Sequence, residues 1–174
     1  VGLMAEEFAV AYDDSDYAEL EKVIDHSKDL TYAHFQIKQI MNKYSLMDRV
    51  NKIYYETPQF VYMRVAMRMC QNKGKGKERI NRIKRHYKMY SDGIVNVPTP
   101  YFNNSGTKRS GFLSCNLHSS DDTIGSLTAG DHISYMMTVG SAGQGSKIYT
   151  RTLGSPVKGG AIIHSGKINY YRTQ

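Results

Sequence analysis

The stretch GFLSCNLHSSDDTIGSLTAGDHISYMMTVGSAGQGSKI, residues 111–148, decides how this chain folds. Gly111 to Leu117 alternates in character and predicts a short strand with Cys115 inside it. Ser119, Ser120, Asp121 and Asp122 then offer oxygens that can accept from the free amides of a helix start. The helix they open is predicted to run to about Val139, with Ile124, Leu127, Ile133, Met136 and Met137 inward. A glycine-rich loop from Gly140 to Ser146 follows, then an extended piece through Leu153 and a turn at Gly154-Ser155-Pro156. Just upstream, Ile94 to Val97 reads as another strand, stopped by Pro98-Thr99-Pro100, with a polar loop from Asn103 to Ser110. Strand, loop, strand, helix, glycine loop, strand is the opening of an α/β sheet or barrel, and it stops too early to close one.

The preceding half is helical. Short helices are predicted near Asp16–His26 and Thr31–Tyr44, then a turn and extended piece over Asp48–Tyr55. Thr57-Pro58 is a helix start: Thr57 can accept from a first-turn amide, and Pro58 has no amide to waste. The run Gln59 to Gln71 is apolar on most sides and predicts a buried helix. Beyond the break at Asn72–Lys77, Ile80, Ile83, Tyr87 and Tyr90 form one helical stripe, and Gly93 is placed to end it. The expected division is a helical region over 1–93 and an α/β region over 94–174.

The net charge of +7 invites a nucleic-acid reading. The excess is local: Lys73, Lys75, Lys77, Arg79, Arg82, Lys84, Arg85 and Lys88 crowd the stretch that runs from the break into the next helix, whereas Asp13, Asp14, Asp16, Glu19 and Glu21 make the N-terminal part acidic. The basic residues fall mainly off the apolar stripe, so they read as a solvated helix face without interleaved aromatic stackers. No apolar run reaches the roughly 20 residues of a membrane span, and the N-terminus lacks the basic region of a secretory signal. A cytoplasmic protein is expected. The first residue is Val1, and Tyr170 to Gln174 carries no helix stop, which suggests a piece of a longer protein.

Four places can carry chemistry. Pro98 and Pro100 fix the backbone around Thr99, giving either a plain strand-ending turn or a rigid hydroxyl that holds a ligand. Cys115, beside Ser114, is either a small buried hydrophobe or a redox thiol facing a cleft. Gly143, within Gly140–Ser146, can bring bare backbone close to a substrate, although no Walker loop follows. Asp122 can cap a helix or accept from a ribose hydroxyl, and Arg151 and Lys158 can pair with phosphate. Cys70 and Cys115 sit in no zinc-ligand spacing, and no metal site is expected.

Taken in order, Pro98-Thr99-Pro100, a basic loop, Phe112-Leu113-Ser114-Cys115, Asp122 opening a helix, Ala142-Gly143-x-Gly145 and Leu153-Gly154-Ser155-Pro156-x-x-Gly159-Gly160 resemble the large, catalytic subunit of class I ribonucleotide reductases. Ile24-Asp25-His26-Ser27-Lys28-Asp29 and Ile53-Tyr54-Tyr55-Glu56-Thr57-Pro58-Gln59 resemble the same family, so the likeness spans roughly residues 20 to 174. It implies a helical N-terminal part followed by the opening strands and helix of a ten-stranded α/β barrel, incomplete in this chain. It implies that Cys115 is one of two thiols that reduce the ribose, with Thr99, Ser114, Cys115 and Gly143 on a ribonucleoside diphosphate substrate. It further implies that Asp122, Thr123, Ile124, Arg151 and Lys158 bind a deoxynucleotide or ATP effector, and that the helix 122–139 forms a dimer. Lys158 stands where the family commonly has arginine, giving up a two-pronged contact.

The resemblance also implies partners: the remaining part of the large subunit, a radical-generating small subunit with its radical cofactor, and a thioredoxin- or glutaredoxin-type reductant. No cofactor is expected on this chain itself. The family's radical cysteine, the second ribose-reducing thiol and the C-terminal cysteine pair have no counterpart in the sequence, so no turnover is expected from this chain alone. The competing readings are a nonenzymatic nucleotide-binding or assembly module that keeps the fold, and a basic nucleic-acid-binding domain.

Overall fold

Helix α4 (Pro58–Cys70) carries apolar side chains on nearly every side, and a helix of that kind must be enclosed. Val65 and Ala66 are fully buried and Val61 almost so. In the computed structural model, which describes residues 3–109, 111–121, 123–140 and 142–148, the chain packs as two units, Val1–Phe112 and Leu113–Gln174. Helix α4 is the centre of the first. The expected boundary at 93/94 falls inside that unit, because Phe102 is buried in the helical core, tilted against the Tyr44 ring and edge-on to that of Tyr62.

Around α4 stand α1 (Glu6–Ala9), α2 (Asp14–Glu21), a 3-10 helix (His26–Thr31), α3 (His34–Lys43), α5 (Gly76–Ser91) and α6 (Thr99–Asn104). A minimal antiparallel hairpin, β1 (Met47–Asp48) with β2 (Ile53–Tyr54), joins α3 to α4. The predicted stripe of α5 is the buried one: Ile80, Ile83, Tyr87 and Tyr90 are each at most 5% exposed. Burying each aliphatic member contributes about 1.5–3 kcal/mol before entropy is counted. Gly93 takes φ 69° just past Asp92 and donates to the Tyr90 carbonyl, ending α5 as its position predicts.

The buried polar groups of this unit are tied to one another. Arg64, 4% exposed, donates to both carboxylate oxygens of Glu56 at 2.7 and 3.1 Å, to the Ser105 carbonyl at 2.5 Å and to the Tyr44 carbonyl at 3.0 Å. One guanidinium thereby fastens α3, the end of the hairpin and the end of α6 to α4. The Gln59 carbonyl oxygen accepts from Tyr87 and Ser91 of α5 at 2.8 and 2.7 Å. The basic face of α5 is partly spent on the acidic α2: Arg79 pairs with Asp16 at 2.8 Å and Lys84 with Glu19 at 2.6 Å. Arg79 also lies over the Tyr12 ring, 4.4 Å from its centroid.

Three expectations here are corrected. Residues 94–97 are not a strand, since the Ile94 and Val95 amides both turn back to the Met89 carbonyl. Thr99–Asn104 is a short helix rather than a turn leading into a loop, because prolines fit a first turn whose amides have no helical acceptor. Thr57 does precede α4 as expected, but its hydroxyl caps nothing and is buried without a partner.

The second unit is a β-α-β element: β3 (Cys115–Ser120), α7 (Ile124–Val139) and β4 (Gly143–Ile148). The strands pair in parallel, with Cys115 opposite Gly143 and Ser120 opposite Ile148. A parallel pair needs a crossover, and α7 supplies it. The strand begins four residues later than predicted, and the glycine-rich segment read as a loop is largely β4 itself. Helix α7 turns Leu127, Gly130 and Ser134 inward, whereas Ile133 and Met136, expected inside, are exposed. Gly130 explains this: a methyl there would lie 2.4 Å from the Ser120 hydroxyl oxygen, so the helix approaches the sheet through its smallest residues. Among the described residues the sheet has two strands and closes no barrel, and no helix is long and apolar enough to cross a membrane.

Candidate functional site

Alternation along β3 and β4 sorts their side chains onto two faces. Ser120, against α7, is buried, and Asn116 and His118 of the same face are half-buried. Cys115, Leu117 and Ser119 point the other way and are exposed, opposite Gly143, Gly145 and Lys147 of β4. The thiol of Cys115 is therefore exposed on the face of the strand pair away from α7, where no described residue encloses it as a core would.

Ser114, Cys115 and Gly143 meet at one end of the strand pair. The Gly143 amide donates to the Ser114 carbonyl at 2.7 Å, and the Cys115 thiol lies 3.8 Å from the Ser114 hydroxyl. A methyl built on Gly143 would sit 3.7 Å from the Cys115 sulfur, ordinary contact, so packing does not demand glycine here. Its effect is to leave the peptide beside the thiol without a side chain. Hydroxyl, thiol and bare peptide brought together across the strand pair suit a ligand rich in oxygen atoms.

Thr99 belongs to the other unit, at the first position of α6, where its hydroxyl lies 3.1 Å from that of Tyr44. Thr123 is the N-cap of α7: its hydroxyl accepts from the Ser126 amide at 3.2 Å, one position past the Ser119–Asp122 run from which the cap was expected. Ile124 opens the same helix. Thr123 thus lies past the far end of β3 from Cys115, with a strand of roughly 17 Å between. Asp122, Arg151 and Lys158 lie outside the described residues, as do the expected turn at Gly154–Pro156 and the extended piece beyond Ile148.

Cys70 is closed inside the helical core, 1% exposed, with its sulfur 3.6 Å from His86 Nδ1. Burial pushes its thiol above the ordinary cysteine range. Among the described residues no cluster of three or more His, Cys, Asp or Glu is arranged to hold a metal.

The sequence reading missed the Asn116–Gln144 pair, whose side-chain amides bond across the strands at 3.1 Å on the helix side. It also missed Leu117, whose end fills the space a side chain at residue 145 would take, 2.6 Å from a methyl built there. Both follow from the period-two pattern once Gly143–Ile148 is read as a strand.

The sequence profile described as ribonucleotide reductase, all-alpha domain, matches residues 30–110, most of the first unit. The chain is 31% identical over 162 residues to the ribonucleoside-diphosphate reductase 1 subunit alpha of Escherichia coli K12, covering 92% of this chain and 21% of that protein. It is 30% identical over 178 residues to the ribonucleoside-diphosphate reductase subunit alpha of Buchnera aphidicola subsp. Schizaphis graminum, covering 99% and 22%. The counterpart from Enterobacteria phage T4 is 27% identical over 154 residues, covering 88% and 20%. The chain spans about a fifth of the length of these relatives.

Proposed function

We propose that this chain belongs to the ribonucleotide reductase large-subunit family, as its matches support, and that it supplies part of the catalytic subunit of a class I ribonucleoside-diphosphate reductase. In this reading Cys115 is one of two thiols that reduce the ribose. The two thiols give up two electrons and two protons as they join in a disulfide, and the ribose hydroxyl leaves as water. An external dithiol of thioredoxin or glutaredoxin type then restores them. Cys70 is no candidate for the second thiol, because the helical core encloses it. That thiol, the radical cysteine and the radical-generating small subunit come from elsewhere in the assembly.

The observation that carries the reading is the exposed Cys115 on the open face of the sheet, flanked by Ser114 and side-chain-free Gly143. Ser114 and Thr99 would hold substrate oxygens through their hydroxyls, and Gly143 through its peptide. The strand pair would be the opening of the ten-stranded barrel, its free edges joined by later strands. Thr123 and Ile124, with Asp122, Arg151 and Lys158, would take the deoxynucleotide or ATP effector at the start of α7. Support for a dimer along α7 comes from its surface: Ile133, Tyr135, Met136 and Val139 are exposed, and Asp131 is its one charged residue. A cytoplasmic location accords with thiol chemistry that needs a reducing compartment.

The test is reconstitution. The chain is combined with polypeptides supplying the rest of a large subunit and with the small subunit, and deoxynucleotide formation from a ribonucleoside diphosphate is measured. Activity is expected, with loss on Cys115→Ser while effector binding persists. Unaltered turnover by the Cys115→Ser protein would refute the assignment.

A further inference from the structure

Part of the positive charge of the first unit is matched internally. On α5, Arg79, Arg82, Lys84 and Lys88 each pair with a carboxylate. Four of the unit's remaining cations gather in one place. Lys43 at the end of α3, Arg49 after β1, and Lys108 and Arg109 beyond α6 have no carboxylate within ion-pair distance among the described residues. All four line one cavity of about 200 Å³, together with Ser45 and Thr107, and its wall contains no Asp or Glu.

The fold holds this arrangement deliberately. Gly106 turns with φ 68° against the Phe8 ring, which aims the following loop. The Thr107 hydroxyl then donates to the Asn104 carbonyl at 3.1 Å and accepts from the Arg109 amide at 3.2 Å, fixing the backbone that carries Lys108 and Arg109. Two carboxylates lie nearby in sequence. Asp48 is bonded to the Val50 and Asn51 amides and the Asn51 side chain, and Glu56 is locked to Arg64. Neither turns toward the four cations, whose mutual repulsion an anion would relieve.

Two guanidinium forks and two ammonium groups match an anion with many oxygens and at least two charges. The cavity is smaller than the roughly 300–1,000 Å³ that encloses a whole drug-sized ligand. It has room for the phosphate end of a ligand and not for a base and sugar as well. We propose that this cavity binds a pyrophosphate group, either as the free ion or as the diphosphate tail of a nucleotide. The site lies wholly in the helical unit and involves none of the residues assigned above to substrate or effector, so its failure would leave the reductase reading intact.

Calorimetric titration of the full chain at low ionic strength, with sodium pyrophosphate, ADP and adenosine, tests this. Saturable binding of pyrophosphate and no response to adenosine are expected. Equal affinity for pyrophosphate and ADP identifies the free ion as sufficient, and tighter ADP binding identifies the nucleotide tail; both support the site. Arg49→Gln combined with Arg109→Gln should weaken pyrophosphate about tenfold or more, since each removes a charge-assisted contact. Lys77→Gln with Arg85→Gln, which lowers the net charge equally, should leave it within about twofold. ADP held elsewhere on the chain would not respond to the Arg49 and Arg109 changes. Circular dichroism verifies folding, and Lys108→Gln alone serves should the double variant unfold. No saturable pyrophosphate binding, or equal weakening by both double variants, would overturn the proposal, as would tighter binding of an oligonucleotide that ignores Arg49 and Arg109.

Discussion

Replacing Arg64 with Met tests the account of the helical unit where it is most exposed to error. The substitution keeps the length of the apolar stem and removes the guanidinium. Glu56, at 10% side-chain exposure, is then left charged and without its partner, and the Ser105 and Tyr44 carbonyls lose a donor. Breaking a buried ion pair from one side costs about 3–5 kcal/mol, and each stranded carbonyl adds to that, although the terms are not additive. A loss of about 4 kcal/mol is expected, equivalent to a fall of roughly 15 °C or more in the Tm of a unit this size. Urea unfolding followed by the helical circular dichroism signal measures it, as the sequence has no tryptophan to report by fluorescence. Adding Glu56→Leu to the same chain removes the stranded charge, so the double variant should lose about 2 kcal/mol less than the sum of the singles. A loss below about 1 kcal/mol for Arg64→Met, the value of a solvent-exposed pair, would refute the hub.

Gly106→Ala forces a left-handed backbone onto a residue with a side chain and drives its methyl to 2.7 Å from the buried Phe8 ring. The expected cost is about 2–4 kcal/mol, read in the same urea titration. A thiol reagent should modify Cys115 rapidly in the native chain and Cys70 only on unfolding; prompt reaction of both would contradict the burial of Cys70. Asp92 is held below the usual carboxylate range by hydrogen bonds from Lys28 and then Lys88. Its depressed folded value makes its contribution full above the unfolded value near about 4 and lost as pH falls through the folded one. The melting temperature of Asp92→Asn should therefore fall less steeply on acidification than that of the parent. Gly130→Ala should loosen α7 by about 1–3 kcal/mol, because Ser120 beneath it is buried, while Gly145→Ala costs under about 1 kcal/mol, since Leu117 can swing into solvent. Hydrogen exchange of the α7 amides separates the two.

The helical half was readable from residue spacing because its signals are local and redundant. The stripe Ile80–Tyr90 and the terminator Gly93 act within one helix, and the apolar run of α4 has one way to be buried. The α6 helix was hidden because Pro98 and Pro100 mark a strand end and a helix start with the same residues. In the second unit, burial on α7 follows closeness of approach to the sheet rather than hydrophobicity. Leu127 is inward as periodicity implies, but Gly130 and Ser134 join it there while Ile133 and Met136 face outward, against the periodic reading. The candidate site was legible in its members Ser114, Cys115 and Gly143. Their adjacency depends on a register that pairs residues 28 positions apart, and no local pattern encodes that distance.

The bare position at 143 has a consequence for any evolution of this surface. With nothing but hydrogen there, and with Gly145 lying under the end of Leu117, the sheet offers one strip of uncovered peptide backbone beside Cys115. A molecule resting on that strip meets chemistry common to all polypeptides, so drift in neighbouring side chains cannot easily retune what is gripped there. Discrimination among ligands of similar outline has to be supplied by the wall that faces the strip.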